Sequence, residues 1–466
     1  MTTVHPAPAA PGPGPDAPDL VDALLHIAPG DHLDALRRAR PAQREHTQKA
    51  YQALVWPVDE AEAGRTERLV LAWYVAELHR HTGLAAHYRS LLAGAADDGA
   101  APSGASLTRA VAELVRVSAG SGPYGQYREP ELAGESTEGL RLQIAADLGG
   151  GPAELLGSRL TAALEHAHLL TFRPRESSAD AVQRLLDAGW SATGIVTISQ
   201  LVAFLSYQVR VVHALAVLAG NTDQQAGAAI PAEPPAVVGT GHDAPAGARA
   251  GAAPAGAPGG AAAGGALRVR TYPDLDRPTG FTQEALGWVP WLEPLAESEL
   301  TERHYEGLAQ RARGANPYFA LLARDPEVLG ARTRADLDIF TNTDGGLGRA
   351  ERELAATATS RVNGCVYCAH VHARAATRES GRAQDVQRLL DGGVDARIDA
   401  TWDPVIDASA ALAVTPPVLT AEHVAALRHT GLDDQAVADA LSSAAFFSWA
   451  NRLMLSLGEP RVPRRR

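Results

Sequence analysis

Cysteine and lysine are almost missing from this chain of 466 residues, which has two of the first and, in Lys49, one of the second. With no Gly-Lys-Ser/Thr there is no phosphate-binding loop, and Schiff-base chemistry on lysine is not expected. Two cysteines cannot form the framework of a disulfide-rich secreted domain. Positive charge is also short: 42 Lys and Arg against 54 Asp and Glu give a net charge of −12. That balance argues against nucleic acid as a main partner, since phosphate binding needs a positive surface. The terminal Arg464-Arg465-Arg466 reads as a solvated tail. The N-terminus lacks a basic stretch followed by an apolar core, so a cytoplasmic location is expected. There is no Gly-x-Ser-x-Gly elbow, His-Glu-x-x-His metal motif or Gly-x-Gly-x-x-Gly cofactor loop.

Alternating strand patterns are absent too, and helical periodicity dominates from Leu20 onward. Helices are expected from Asp19, over Thr66–Leu78, Gly157–Leu170, Ala179–Ala188 and Ala192–Leu218, and in a dense series from Glu299 to Leu457. Residues 94–106 and 119–139 read as loops. The stretch Ile195–Ala219 is long and apolar enough to suggest a membrane span, but it carries Ser199, Gln200, Ser206, Gln208, Arg210 and His213, which are costly in lipid. It reads as a buried helix, with no membrane partner.

Residues 1–18 and 221–266 are Ala, Gly, Pro and small polar residues. They cannot bury enough apolar surface to offset the entropy of ordering, so a disordered tail and a flexible linker are expected. The linker divides the chain into helical domains at 19–220 and 267–466, and the fold class is all-α. The two halves resemble each other near their ends. At an offset of 242, Phe204-Leu205-Ser206-Tyr207-Gln208-Val209-Arg210 aligns with Phe446-Phe447-Ser448-Trp449-Ala450-Asn451-Arg452, which suggests a duplicated unit.

Both cysteines lie in Asn363-Gly364-Cys365-Val366-Tyr367-Cys368-Ala369-His370-Val371-His372. Asn363-Gly364 breaks the preceding helix and puts Cys365 and Cys368 in the first turn of a new one, where the backbone dipole lowers a thiol pKa. At 100° per residue, Cys365, Cys368 and His372 fall within about 60° of one another. His372 can take a proton from Cys368, and Glu353, from the preceding helix, can fix the histidine tautomer. Zinc held by Cys365, Cys368, His370 and His372 is the competing reading, but His370 points about 140° from Cys365 on the same wheel. His370 is therefore expected to be a surface or packing histidine, and Tyr367 a packing aromatic.

Glu353, eleven intervening residues, Cys365-x-x-Cys368, three more and His372 resemble the full motif of the AhpD-like, carboxymuconolactone decarboxylase superfamily. The second half, roughly Leu267–Pro460, looks like its peroxidase-related branch. Residues 20–220 look like a diverged copy without cysteines, with Glu67 set against Glu353, His79 against Cys365 and Thr82 against Cys368, and His81 and His87 nearby. The resemblance implies an all-α fold and obligate homo-oligomers, such as a trimer of two-domain chains. It implies hydroperoxide reduction without a cofactor other than a redox-active Cys365–Cys368 disulfide, which is re-reduced by a lipoyl-type dithiol or thioredoxin-like donor. Cys368 would be the more buried thiol that attacks the peroxide, Cys365 would resolve it, and His372 with Glu353 would relay protons. Tyr367 stands where the best-studied members have a histidine. Two alternatives stay open: a lyase of the decarboxylase type, and a non-enzymatic redox switch.

Overall fold

A computed structural model describes residues 19–95, 104–221 and 267–464. The tail over 1–18 and nearly all of the linker over 221–266 lie outside the described residues.

The first half runs α1 (Leu20–Leu25), α2 (His32–Arg38), α3 (Pro41–Val55), α4 (Arg65–Leu78), α5 (Thr82–Ala95), α6 (Gly104–Ser118), α7 (Ile144–Asp147), α8 (Gly150–Phe172), α9 (Ala179–Asp187) and α10 (Ala192–Leu218). The second begins with strand β1 (Gly287–Pro290). It continues through α11 (Glu302–Leu308), α12 (Pro317–Leu322), α13 (Pro326–Thr341), α14 (Arg349–Asn363), α15 (Val366–Ser380), α16 (Ala383–Gly392), α17 (Asp403–Ala413), α18 (Ala421–His429) and α19 (Asp434–Leu457), and it closes with β2 (Gly458–Arg461).

Local chemistry sets the ends of the elements that matter most. Ser191 caps α10 by accepting from Gly194 N–H, and Asp433 caps α19 by accepting from Ala436 N–H. Pro317 and Pro326 occupy the first helical positions of α12 and α13.

The all-α expectation needs one correction, because β1 and β2 pair antiparallel with Trp288 opposite Pro460. Strands of four residues, each containing a proline, are too short to show alternation in the sequence. Gly458 makes the ribbon possible: a Cβ there would lie 2.2 Å from the Val289 carbonyl oxygen and 2.3 Å from the Trp288 ring. The ribbon ties the segment before α11 to the end of α19, and Trp288 Nε1 donates to the Met454 carbonyl.

The two halves share one core, a continuous cluster of buried apolar side chains drawn from both. Its axis is the pair α10 and α19. Trp449 meets Phe204 edge-on at 5.1 Å and stacks on Tyr207 at 5.6 Å, while its Nε1 donates to Gln200 Oε1 at 2.9 Å. α10 is long and apolar enough to cross a membrane, and here that face is buried within the protein. Alongside, α3 packs on α13, with Gln43 N–H donating to Asp338 at 2.7 Å.

Each half also reaches into the other with a fully buried arginine. Arg210 donates to the carbonyls of Leu412, Ala413 and Val414 at the end of α17, and Arg452 donates to Thr171 O at the end of α8. The two residues are equivalent at the offset of 242, and each also donates to the carbonyl four residues before it, Ser206 and Ser448. Further forward the offset becomes 284. Arg68 donates to Ala63 O and Leu54 O, and Arg352 to Leu347 O and Ile339 O. His81 N–H donates to Ala76 O, and Cys365 N–H to Ser360 O. The change of offset corresponds to extra residues in the first half, between α6 and α8.

Because the core is shared, Trp449→Ala should weaken both halves together. The expected loss is about 3–5 kcal/mol, from the cavity and the orphaned Gln200. Urea denaturation followed by far-UV circular dichroism should show a single transition shifted to lower urea; two separated transitions would contradict the shared core.

Candidate active site

The site is built where α14 turns into α15. Gly364 takes a left-handed conformation (φ +76°), which ends α14 and releases the chain into a new helix with Cys365 as its N-cap. A side chain at 364 would be strained there and would also press on Arg175 and Tyr127, at 3.0 and 3.1 Å from its Cβ. The turn places Cys368 in the first turn of α15, beside the free N–H groups and the positive end of the dipole.

Both cysteines are free thiols, hydrogen-bonded to each other. His372 lies one turn beyond Cys368, and its Nδ1 is 2.5 Å from Glu353 Oε2 on α14. Arg349, one turn before Glu353, donates to the other carboxylate oxygen at 3.1 Å. Phe447 meets the His372 ring edge-on at 4.1 Å and Phe340 flanks it at 5.5 Å, so the imidazole is gripped on α15 by residues of α13 and α19. Asn451 of α19, held by Ser360 and Asn363, hydrogen-bonds Cys368.

Electrostatics separate the two thiols. Burial pushes Cys368 up, but its hydrogen bond with Cys365, the His372 charge, Asn451 and the Arg332 charge outweigh burial and hold it below the usual thiol value. Burial and the neighbouring Cys368 both push Cys365 up, so it stays protonated. His372 is raised: burial opposes its charge, but the Glu353 carboxylate prevails. Glu353 is lowered, because His372 and Arg349 overcome its burial. The arrangement sets a thiol with a lowered pKa near a histidine with a raised one and next to a thiol held protonated, with a buried carboxylate behind the histidine.

Three expectations change. Cys365, not Cys368, is the more buried thiol, at 1% exposure against 4%. Its cover comes from outside its own helix: Arg128, Glu129 and Arg175 of the first half, with Trp288, Gly458 and Pro460 of the ribbon, enclose a space of about 10 Å³ beside it. That is at the lower limit for one water molecule. Second, the placement of Glu67, His79 and Thr82 in the first half shifts by two residues. The matched hydrogen bonds put Leu69 at the position of Glu353, His81 at Cys365, Leu84 at Cys368 and Tyr88 at His372. Third, Arg349, Arg332 and Asn451 act on the site without having been singled out in the sequence; the spacing of Arg349 four residues before Glu353 was the available signal.

His370 is a packing residue: it is 6% exposed and its Nε2 accepts from Leu286 N–H at 3.3 Å. Among the described residues, no group of three or more His, Cys, Asp or Glu side chains is placed to hold a metal ion. A cleft of about 690 Å³ between α3 and α13 is lined by none of the four motif residues.

The directions of these shifts fix a pH dependence. Thiolate at Cys368 forms as pH rises through its lowered value, and the imidazolium is lost as pH rises through the raised value of His372. Stability follows the same pair. The contribution of Glu353 is present above about 4.3, the ordinary glutamate value, and lost as pH falls through its lowered one; that of His372 is complete below about 6.5 and lost as pH rises through its raised one. Glu353→Gln should lower the His372 value and raise the Cys368 value. The check is the pH profile of Cys368 alkylation by iodoacetamide, with its midpoint expected to move to higher pH.

Residues 326–413 match the family model described as the carboxymuconolactone decarboxylase family. Searches of curated proteins and of solved structures gave no match. The stretch from the first turn of α13 to the last of α17 is therefore a carboxymuconolactone decarboxylase family domain, and Glu353, Cys365, Cys368 and His372 all lie inside it.

Proposed function

We propose that the chain is a thiol-dependent hydroperoxide reductase with its chemistry confined to the second half. The observation that carries this reading is the hydrogen-bonded pair Cys365 and Cys368 with His372 one turn further along α15 and 2.5 Å from Glu353, inside the matched family domain.

In this mechanism the Cys368 thiolate attacks the terminal oxygen of the hydroperoxide. The O–O bond breaks, a sulfenic acid forms on Cys368, and the alkoxide leaves with a proton from His372. The Cys365 thiol then attacks the sulfenic sulfur, forming the disulfide and releasing water. A dithiol donor of the lipoyl or thioredoxin-like kind returns the disulfide to two thiols and is itself oxidised. A reducing, cytoplasmic compartment fits such a cycle. Tyr367, half-buried and packed near His370, takes no part, so the relay is His372 and Glu353 alone.

The first half is a diverged copy that keeps the helical frame and fills the place a second subunit would take. With Leu69, Leu84 and Tyr88 at three of the four motif positions, it holds neither thiol nor carboxylate. Tyr88 OH instead donates to Gln208 at 2.6 Å. Assembly of such two-part chains into a trimer follows from the same reading.

Peroxide consumption driven by dihydrolipoamide tests it. Turnover is expected in the wild type and should fall at least about 1000-fold in Cys368→Ser. Cys365→Ser should complete one reaction and stop at the sulfenic acid. Turnover indifferent to both substitutions would reject the peroxidase and favour the lyase; a cysteine pair that titrates without turnover would favour the switch.

A further inference from the structure

Beside the cysteine pair lies a cation with nothing to hold. Arg332, on α13, is 5% exposed, yet among the described residues its guanidinium makes no hydrogen bond and no ion pair, and its Nε is unpartnered. It lies over two ring faces, Phe446 at 5.2 Å and Tyr318 at 5.8 Å. The Tyr318 hydroxyl, on a side chain also 5% exposed, is unpartnered as well. Two orphaned donors thus come from two helices to one spot. Burying a guanidinium and a phenol without partners is costly, and the most deeply buried arginines, Arg210, Arg352 and Arg452, each donate at least two hydrogen bonds. The cation–π contacts offset only part of that cost.

We infer that Arg332 and Tyr318 form a buried oxyanion subsite near Cys368, in which the Arg332 charge stabilises the thiolate before the reaction and both donors receive the alkoxide oxygen of the hydroperoxide as the O–O bond breaks. The inference rests on the peroxidase reading for its second step only. Negative charge moves from sulfur to the departing oxygen during that step, and fixed donors in a dry site stabilise it where it arrives. His372 then supplies the proton; Tyr318 donates a hydrogen bond and keeps its own, since burial raises its pKa far above neutrality. The other charged and titratable groups around the pair are Arg313 just before α12, Asp336 on α13, Glu353 with Arg349 on α14, Cys365, Tyr367 and His372 on α15, and Glu129 from the first half. Of the cations among these, Arg349 donates to Glu353 and Arg313 to the Leu308 carbonyl, whereas Arg332 donates to neither a carboxylate nor a carbonyl among the described residues.

Two readouts in a Cys365→Ser background separate the steps: the pH profile of Cys368 alkylation by iodoacetamide, and the rate of single-turnover sulfenic acid formation with cumene hydroperoxide. Arg332→Gln should move the alkylation midpoint up by about one pH unit and slow the peroxide reaction on the order of 100-fold. Arg332→Lys should restore the midpoint but only part of the rate. Tyr318→Phe, which removes one hydroxyl and keeps the packing, should leave the midpoint in place and slow the peroxide reaction about tenfold. Wild-type midpoint and rate in Arg332→Gln, or a wild-type rate in Tyr318→Phe, would overturn the inference. If the parent protein does not react with peroxide at all, the peroxidase reading falls. The midpoint of Arg332→Gln then decides the thiolate part alone: raised, it upholds that part; unchanged, it overturns it.

Discussion

Two guanidinium groups, Arg210 and Arg452, lie out of water along the seam between α10 and α19, and each donates to backbone carbonyl oxygen at a helix end that belongs to the opposite half. A charge in such a place is tolerated only while its acceptors stay put, so removing one half would strand the cation of the other. The aromatic stack of Phe204, Tyr207, Phe446 and Trp449 packs around the same line. From this seam α19 carries Phe446, Phe447 and Asn451 to the cysteine pair, and α13, braced by α3, carries Arg332 and Phe340. The placement of these residues therefore derives in part from seam contacts, such as those of Arg210 and Trp449, that lie outside the cysteine site.

The site also shows why burial by itself does not decide the state of a thiol. Cys365 and Cys368 are both nearly sealed from solvent, and burial acts upward on each. What differs is the company. Cys368 faces an imidazolium, an amide and a guanidinium, whereas Cys365 faces its neighbour's sulfur and the carboxylate of Glu129. One helical turn is enough to lower the pKa of one sulfur and raise that of the other, the asymmetry a dithiol needs if one sulfur is to attack and the other to follow.

Much of this was legible in the sequence, and the exceptions have physical causes. The helix break at Gly364, the helices Ala192–Leu218 and Asp434–Leu457, and the alignment of Cys368, His372 and Glu353 follow from turn chemistry, hydrophobic density and 3.6-residue periodicity. α3 was not legible: Pro-Ala-Gln-Arg-Glu-His-Thr-Gln-Lys-Ala-Tyr-Gln-Ala-Leu-Val is too polar to advertise a core helix, and it is buried only because α13 covers it. The ribbon was hidden by its brevity. Arg332 and Arg349 resembled any arginine on a mixed helix face, because a side chain's partners, or their absence, are set by tertiary placement. The cover over Cys365 was invisible for the same reason, since it is drawn from residues between 77 and 237 positions away in the chain.

That cover has a consequence for how the centre can be reached. Arg361 holds Glu135 through two hydrogen bonds of 2.7 Å, and Arg175 holds the Val362 carbonyl, so the segment around 127–136 is fastened over one end of the motif helix. The lining over Cys365 is mixed: Arg128, Glu129 and Arg175 come from the first half, and Trp288, Gly458 and Pro460 from the ribbon. All six lie outside the matched family domain at 326–413. Whatever approaches this sulfur meets a surface composed by segments other than the one that carries the motif, and the two can change independently in sequence.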